Sequence, residues 1–404
     1  MRDFVEGKVP SLLLQSIMLV SGRFLPSAKE DSADGGENLA RLASEIKVGI
    51  MADTDRFSII KLAALLNLRI HEQNAGRHGS VWLLVSLITR MAYALGLHTT
   101  RTDLSVTEAE IRRRLMWAAH AADSQAAGGI QEYTLTDRRT WRVALPVSER
   151  AFALGIPTVG RMIEDVEFDS GLGQGDTEGV ASRFARIIAL RDDILRYVWS
   201  ILRLTLSYTK YITEFTPSPW DPGSRFDTIC EKLRCWQTSL PIDLQFNLEC
   251  LYALKGQPGA MCVLACLHIW FDQLHSTLYR TAYPGFDESA PTDFLAPAPF
   301  QWIDKLRRGC YHRAIEVREK IRFLLRHKLY LKMAEHRISS FVFECIRNQL
   351  AYIKYAFPEG EAPNEYMETL RGFEDIITFT IQCSTGVTAN RVLVSALSPC
   401  VFYC

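Results

Sequence analysis

Residues 80–98 read SVWLLVSLITRMAYALGLH, and residues 108–123 read EAEIRRRLMWAAHAAD. In the first stretch Val81, Leu84, Val85, Ile88, Ala92 and Leu95 fall at the i, i+3, i+4, i+7 spacing of one buried helix face, so Ser80–Leu95 is expected to be a helix. Gly96 can take the left-handed conformation that ends a helix. His98 follows it and is expected to bond the last carbonyls. The second stretch predicts a helix from Thr107, where Thr107 and Glu110 have the spacing of a capping box. Arg112, Arg113 and Arg114 are consecutive and so point about 100° apart, which stops them from gripping one ligand together. Ion pairs with Glu108, Glu110 or Asp123 are the expected role for them.

The order of these residues carries a resemblance. Trp82, Arg90-Met91-Ala92, Leu95-Gly96-Leu97-His98, Glu108-x-Glu110-x-Arg112-Arg113-Arg114 and Asp123 resemble the signature of the middle homology region of fungal binuclear zinc-cluster transcription factors, of the xylanolytic-activator type. Met116 stands where that family usually has the first tryptophan of a pair, and Trp117 keeps the second. The resemblance covers roughly residues 38–385. It takes in Leu145-Pro146, Trp236 with Leu240-Pro241, and a Leu267-His268…Leu278-x-Arg280 helix. It implies an all-α regulatory body of paired antiparallel helices that works in the nucleus on transcription by RNA polymerase II. The implied partners are other transcription-factor subunits or co-regulators and a small-molecule effector. DNA would be met only indirectly or through another module.

The whole chain fits this reading. Helical periodicity recurs over Ser11–Phe24, Asn38–Met51, Arg56–Glu72 (capped by Thr54 or Asp55), Ala181–Tyr211, Arg225–Ser239, Cys262–Arg280, Asp304–Leu329, Arg337–Phe357 and Glu368–Cys383. Loops are expected at Lys29–Glu37, 74–79, Tyr133–Pro146, Glu164–Val180, 216–223 and Tyr283–Gln301, where glycine, proline and polar residues gather. Three regions result: a helix and loop over 1–37, the regulatory body over 38–385 with a subdivision near 165–180, and an apolar tail over 386–404. Leu12–Val20 is about half the length of a membrane span, and no membrane partner is expected.

Composition narrows the chemistry. With 46 basic and 46 acidic residues the formal charge is +0, without the basic excess that phosphate binding needs. The ten cysteines begin at Cys230. A binuclear zinc cluster needs six close-spaced thiolates. Cys230 with Cys235, and Cys262 with Cys266, sit inside apolar helical patterns and read as buried thiols. The chain therefore resembles the regulatory half of such a factor, lacking the N-terminal six-cysteine cluster and with no zinc, cofactor or metal of its own. Gly171–Gly175 lacks the Gly-Lys-Ser/Thr ending of a phosphate loop. No nucleophile elbow or zinc-protease motif is present, and His71-Glu72, His98 and Cys310 with His312 are weak catalytic candidates, so no catalytic residue and no enzymatic role are expected. A ligand-binding protein or biosynthetic enzyme reusing the helical body is the alternative, with Trp82, Trp117, Trp199, Trp236, Trp270 and Trp302 able to line a pocket. A purely structural interaction protein would instead show a large apolar patch.

On this reading Arg113→Ala and Trp117→Ala act by lowering stability. Thermal melts paired with a regulation assay test this, and variants that keep the wild-type Tm but lose regulation would contradict it.

Overall fold

The structure, a computed structural model, describes residues 6–22, 33–53, 55–164, 178–203, 217–254, 258–327, 329, 337–358 and 363–377. The expected Gly171–Gly175 loop, the end of the Ala181–Tyr211 helix and the 386–404 tail lie outside these residues. Among the described residues there are fourteen α-helices, short 3₁₀ turns and a single isolated bridge, Thr99 to Arg142. The all-α expectation holds. No described helix is long and apolar enough to cross a membrane.

The chain forms two compact units. The first comprises Met1–Ala127 with Tyr133–Gly160. Its helices are α1 (Ser11–Gly22), α2 (Ala33–Met51), α3 (Ile59–Asn74), α4 (His78–Ala94), α5 (Val106–Ala127) and the short α6 (Glu149–Leu154). α3 packs on α1, α2, α4 and α5, and α4 packs on α5. The three residues between α3 and α4 turn the chain through Gly76 at φ 71. Leu62, Leu65 and Leu68 of α3 and Leu84, Val85 and Ile88 of α4 are buried. Each such leucine or isoleucine side chain contributes about 1.5–3 kcal/mol on leaving water.

Helix ends shifted from expectation for identifiable reasons. α2 starts at Ala33, within the stretch expected as loop. Its three glycines, Gly35, Gly36 and Gly49, cost roughly 1 kcal/mol each in a helix, and the burial of Ala43, Ile46 and Ile50 outweighs them. α3 is capped by Ser58, whose Oγ accepts from the Lys61 amide at 3.1 Å, and not by Asp55. Asp53 is occupied by ion pairs with Arg56 and Lys61. α5 is capped by Ser105. The Ser105 Oγ accepts from the Glu108 amide, and the Glu108 carboxylate accepts from the Ser105 amide. This is a capping box two residues earlier than Thr107 and Glu110. α6 was not anticipated because six residues show too little periodicity. Ser148 caps its start and Gly155, at φ 62, its end.

The second unit comprises Gly128–Glu132 with Arg161–Ser384. It holds α7 (Val180–Arg203), α8 (Arg225–Thr238), α9 (Leu248–Ala253), α10 (Pro258–Tyr279), α11 (Thr292–Leu295), α12 (Phe300–Arg326), α13 (Arg337–Ala356) and α14 (Asn364–Arg371). α10 packs on α7 and α12, and α12 on α13. α11 and the first turn of α12 fall within the expected 283–301 loop. α14 starts four residues before the expected Glu368, directly after Pro363, and stops at Gly372. Gly129, at φ 87, lies against Leu195 so closely that a Cβ there would sit 2.3 Å from the leucine's own. Only glycine meets both demands.

Glu72 ties the first unit's polar interior together. Its side chain is fully buried on α3, 2.7 Å from Arg77 and 3.0 Å from Lys47. Burial alone would raise its pKa. The hydrogen bonds from Arg77, Lys47 and Ser80 outweigh burial and lower it from 4.5 to about 2. A depressed folded-state value contributes stability above the ordinary value and loses it as pH falls through the folded one. The stability difference between wild type and Glu72→Gln should therefore be full above about pH 5 and vanish toward pH 2. Chemical denaturation across that window checks it, and a pH-independent difference would refute it.

Candidate functional site

Every element of the candidate site lies in the first unit. Tyr133–Val147 crosses the surface of α5 with almost no secondary structure of its own. Its backbone groups need partners, because buried peptide groups left unpaired cost comparable energy to a lost hydrogen bond. One stripe of α5 supplies them: Glu110, Arg114, Trp117, His120 and Asp123, spaced four, three, three and three residues apart. Helical geometry puts such positions on one face.

The Glu110 carboxylate is buried and fully used. Oε1 accepts from Arg114 Nε at 2.9 Å and from the Val147 amide at 3.0 Å. Oε2 accepts from Arg113 Nη1 at 2.6 Å. Arg114 also donates to the Val147 carbonyl at 2.8 Å and lies over the Phe152 ring. Trp117 Nε1 donates to the Ala144 carbonyl at 2.9 Å. Asp123 accepts from the amides of Leu135 and Thr136 and from the Thr136 hydroxyl at 2.6 Å. Burial pushes its carboxyl pKa up, and the Thr136 and Leu135 hydrogen bonds offset part of that. With Asp123 ionised, the single Thr136 hydroxyl proton is committed to it. Thr136 Oγ1 can then only accept from His120 Nδ1, 2.9 Å away, which assigns the Nδ1–H tautomer. His120, Trp117 and Trp141 pack edge to face with centroids 5.1–5.8 Å apart.

The remaining signature residues divide. Arg112 donates to the Leu95 carbonyl at the end of α4, the task expected of His98. His98 Nδ1 is buried without a hydrogen-bond partner among the described residues, and the ring packs against Tyr93. Gly96 takes φ 65 as expected. Trp82 is 44% exposed, edge-on to Tyr133, and Arg90 is exposed on the outer face of α4. Neither joins the α5 stripe. Glu108 serves the cap, so of these two acids it is Glu110 that receives Arg113 and Arg114, and Arg114 also lies 3.7 Å from Glu149. Thr136, Trp141 and Tyr93, whose hydroxyl accepts from Trp141 Nε1 at 3.2 Å, belong to the cluster but carried no sequence signal, since their partners are 13 to 48 residues away.

Beside this cluster is a cleft of about 230 Å³. Leu104, Val106, Phe152, Ile156 and Pro157 give it apolar walls, and Thr100, Arg101, Thr107, Glu110, Arg113 and Thr158 are its polar members. None of the six tryptophans considered as pocket lining contributes. Trp117, Trp236 and Trp270 are core residues instead.

The catalytic and metal candidates resolve as structure. Glu72 is bound in its ion pairs. Burial raises the Cys310 thiol to about 12, while His312, two residues on, faces solvent. Burial likewise raises the thiols of Cys230, Cys235 and Cys262, opposite to what thiolate ligands or nucleophiles require. Among the described residues no three His, Cys, Asp or Glu side chains are grouped to hold a metal ion.

Comparison with known proteins agrees with the signature. Residues 4–151 match the model of the fungal specific transcription factor domain. The chain is similar to the Zn(2)-C6 fungal-type transcription factor FTF1c of Fusarium oxysporum f. sp. lycopersici, at 27% identity over 64% of this chain and 29% of that protein. An uncharacterized transcriptional regulatory protein of Schizosaccharomyces pombe is 27% identical over 68% of this chain and 29% of its own length. The nitrogen assimilation transcription factor nirA of Emericella nidulans is 23% identical over 69% and 30%. The chain thus spans less than a third of the relatives it matches. No solved structure matches it.

Replacing Glu110 by alanine strands Arg113, Arg114 and the Val147 amide at once. Breaking such a buried pair costs about 3–5 kcal/mol. Asp103, exposed and paired with the likewise exposed Arg101, should be nearly silent when changed to asparagine. Urea denaturation of both variants tests this, and equal effects would refute the role given to Glu110.

Proposed function

We propose that this chain, whose residues 4–151 carry the fungal specific transcription factor domain, is the regulatory body of a fungal transcription factor acting on RNA polymerase II transcription. The observation that carries this reading is the folding of the α5 part of the ordered signature into one cluster. Glu110, Arg113, Arg114, Trp117 and Asp123 fix the 133–147 segment against α5. The similarity to named transcriptional regulators supports the same reading. Such a body works in the nucleus, by contact with other transcription-factor subunits or co-regulators and by response to a small effector, and performs no reaction of its own. These 404 residues hold no six-cysteine cluster, so DNA contact and zinc would come from elsewhere.

A fusion of the full chain to a heterologous DNA-binding domain, assayed on a reporter in a fungal host, tests this. The expected result is a several-fold change in reporter output relative to the DNA-binding domain alone, in either direction. An expressed, nuclear fusion that leaves the reporter unchanged across carbon and nitrogen sources would sink the reading.

A further inference from the structure

The geometry points to the cleft beside α5 as a binding site for a small monocarboxylate with a short apolar body, held by Arg113. Arg113 spends one N–H, on Nη1, to bind Glu110. Its Nε and Nη2 edge has no protein acceptor among the described residues, and its side chain is 16% exposed. That edge is the planar two-donor fork that matches a carboxylate. The guanidinium is also held in place in advance, because Glu110 is itself fixed by Arg114 and Val147.

The acid in the cleft wall is already engaged. Both oxygens of Glu110 are occupied by two guanidinium groups and an amide, and Arg114 is shared with Glu149 at 3.7 Å, so the Arg113 fork, and not a net charge, would hold the anion. Arg101 does not compete for a ligand, because Asp103 holds its own Nε and Nη2 edge. The Thr107 hydroxyl, also in the cleft wall, makes no hydrogen bond among the described residues and can donate to the second carboxylate oxygen. Apart from Thr100 and Thr158, the other walls are aliphatic or aromatic: Leu104, Val106, Phe152 and Ile156 among them. The volume, about 230 Å³, corresponds to roughly eight water-sized groups at ~30 Å³ each. That excludes nucleotides and dicarboxylates with bulky bodies and fits an acid of the size of 4-methylpentanoate. Binding itself rests on this geometry; its use as a signal rests on the regulatory reading above.

The full chain would be titrated by calorimetry with hexanoate, 3-methylbutanoate, 4-methylpentanoate and phenylacetate, each beside its neutral amide. Saturable binding of at least one acid is expected, with a Kd below about 5 mM and at least about tenfold tighter than its amide. Arg113→Lys keeps the charge but not the fork, and should weaken binding at least about tenfold. Ala109→Leu fills the cleft from its α5 wall without touching Glu110, and should abolish binding. Circular dichroism melts of both variants establish that they are folded, and whichever is folded decides the case. The proposal is overturned if no acid in the set binds, if acids and amides bind alike, or if a folded variant binds the acid as wild type does. A silent reporter with intact acid binding would sink the regulatory reading alone, and an active reporter without acid binding would sink this one alone.

Discussion

A segment with no ladder of its own must still find partners for its peptide groups, and in this protein that constraint falls on Tyr133–Val147. Helix α5 meets it with side chains. Glu110 takes the Val147 amide, Arg114 the Val147 carbonyl, Trp117 the Ala144 carbonyl, and Asp123 the amides of Leu135 and Thr136. Each bond is modest alone, near 1 kcal/mol net, but an orphaned buried partner costs more than the bond contributes. This asymmetry explains why the requirement is for particular residue types at particular positions and not for general polarity. It also explains why the signature mixes acids, arginines and a tryptophan on a helix whose other faces are ordinary.

The second unit uses the same logic with charges inside its helical packing. Asp272 of α10 is buried and meets Arg313 at 2.9 Å and Lys320 at 2.7 Å, both from α12. Arg280 is buried between Glu288 and Glu344. Both sets join elements distant in sequence, and removing one member of a buried pair leaves an uncompensated charge. The balanced composition of 46 basic and 46 acidic residues therefore serves internal pairing in part, and does not describe the surface alone. Around these pairs the core is aromatic: Trp236 stacks on Phe271 at 5.1 Å, and Trp270 meets Phe341 at 5.2 Å.

Helix positions were legible from periodicity because burial of one face imposes it. α4, α7, α8, α10, α12 and α13 appear close to where their apolar spacing puts them. Ends were less legible, since a cap depends on local competition. Two overlapping capping boxes exist at the start of α5, Ser105 with Glu108 and Thr107 with Glu110. The first forms because Glu110 is drawn into the interior by two arginines and an amide. Likewise Arg112, not His98, reaches the last carbonyl of α4, because helix packing brings a side chain seventeen residues away within reach.

The sequence by itself determined an all-α chain, a helix pair with a shared signature, thiols placed in apolar helix faces and the absence of any metal-ligand spacing. These follow from local rules: residue propensity, period and spacing along the chain. Only the tertiary structure decided that Asp123 serves Thr136 and Leu135, that Trp82 and Arg90 stand apart from the cluster, and that Arg113 lines a cleft beside α5. Those outcomes depend on which groups meet across sequence separations of 12 residues or more. No local pattern encodes that, because a side chain's partner is set by where the packed helices leave it and not by its neighbours in sequence.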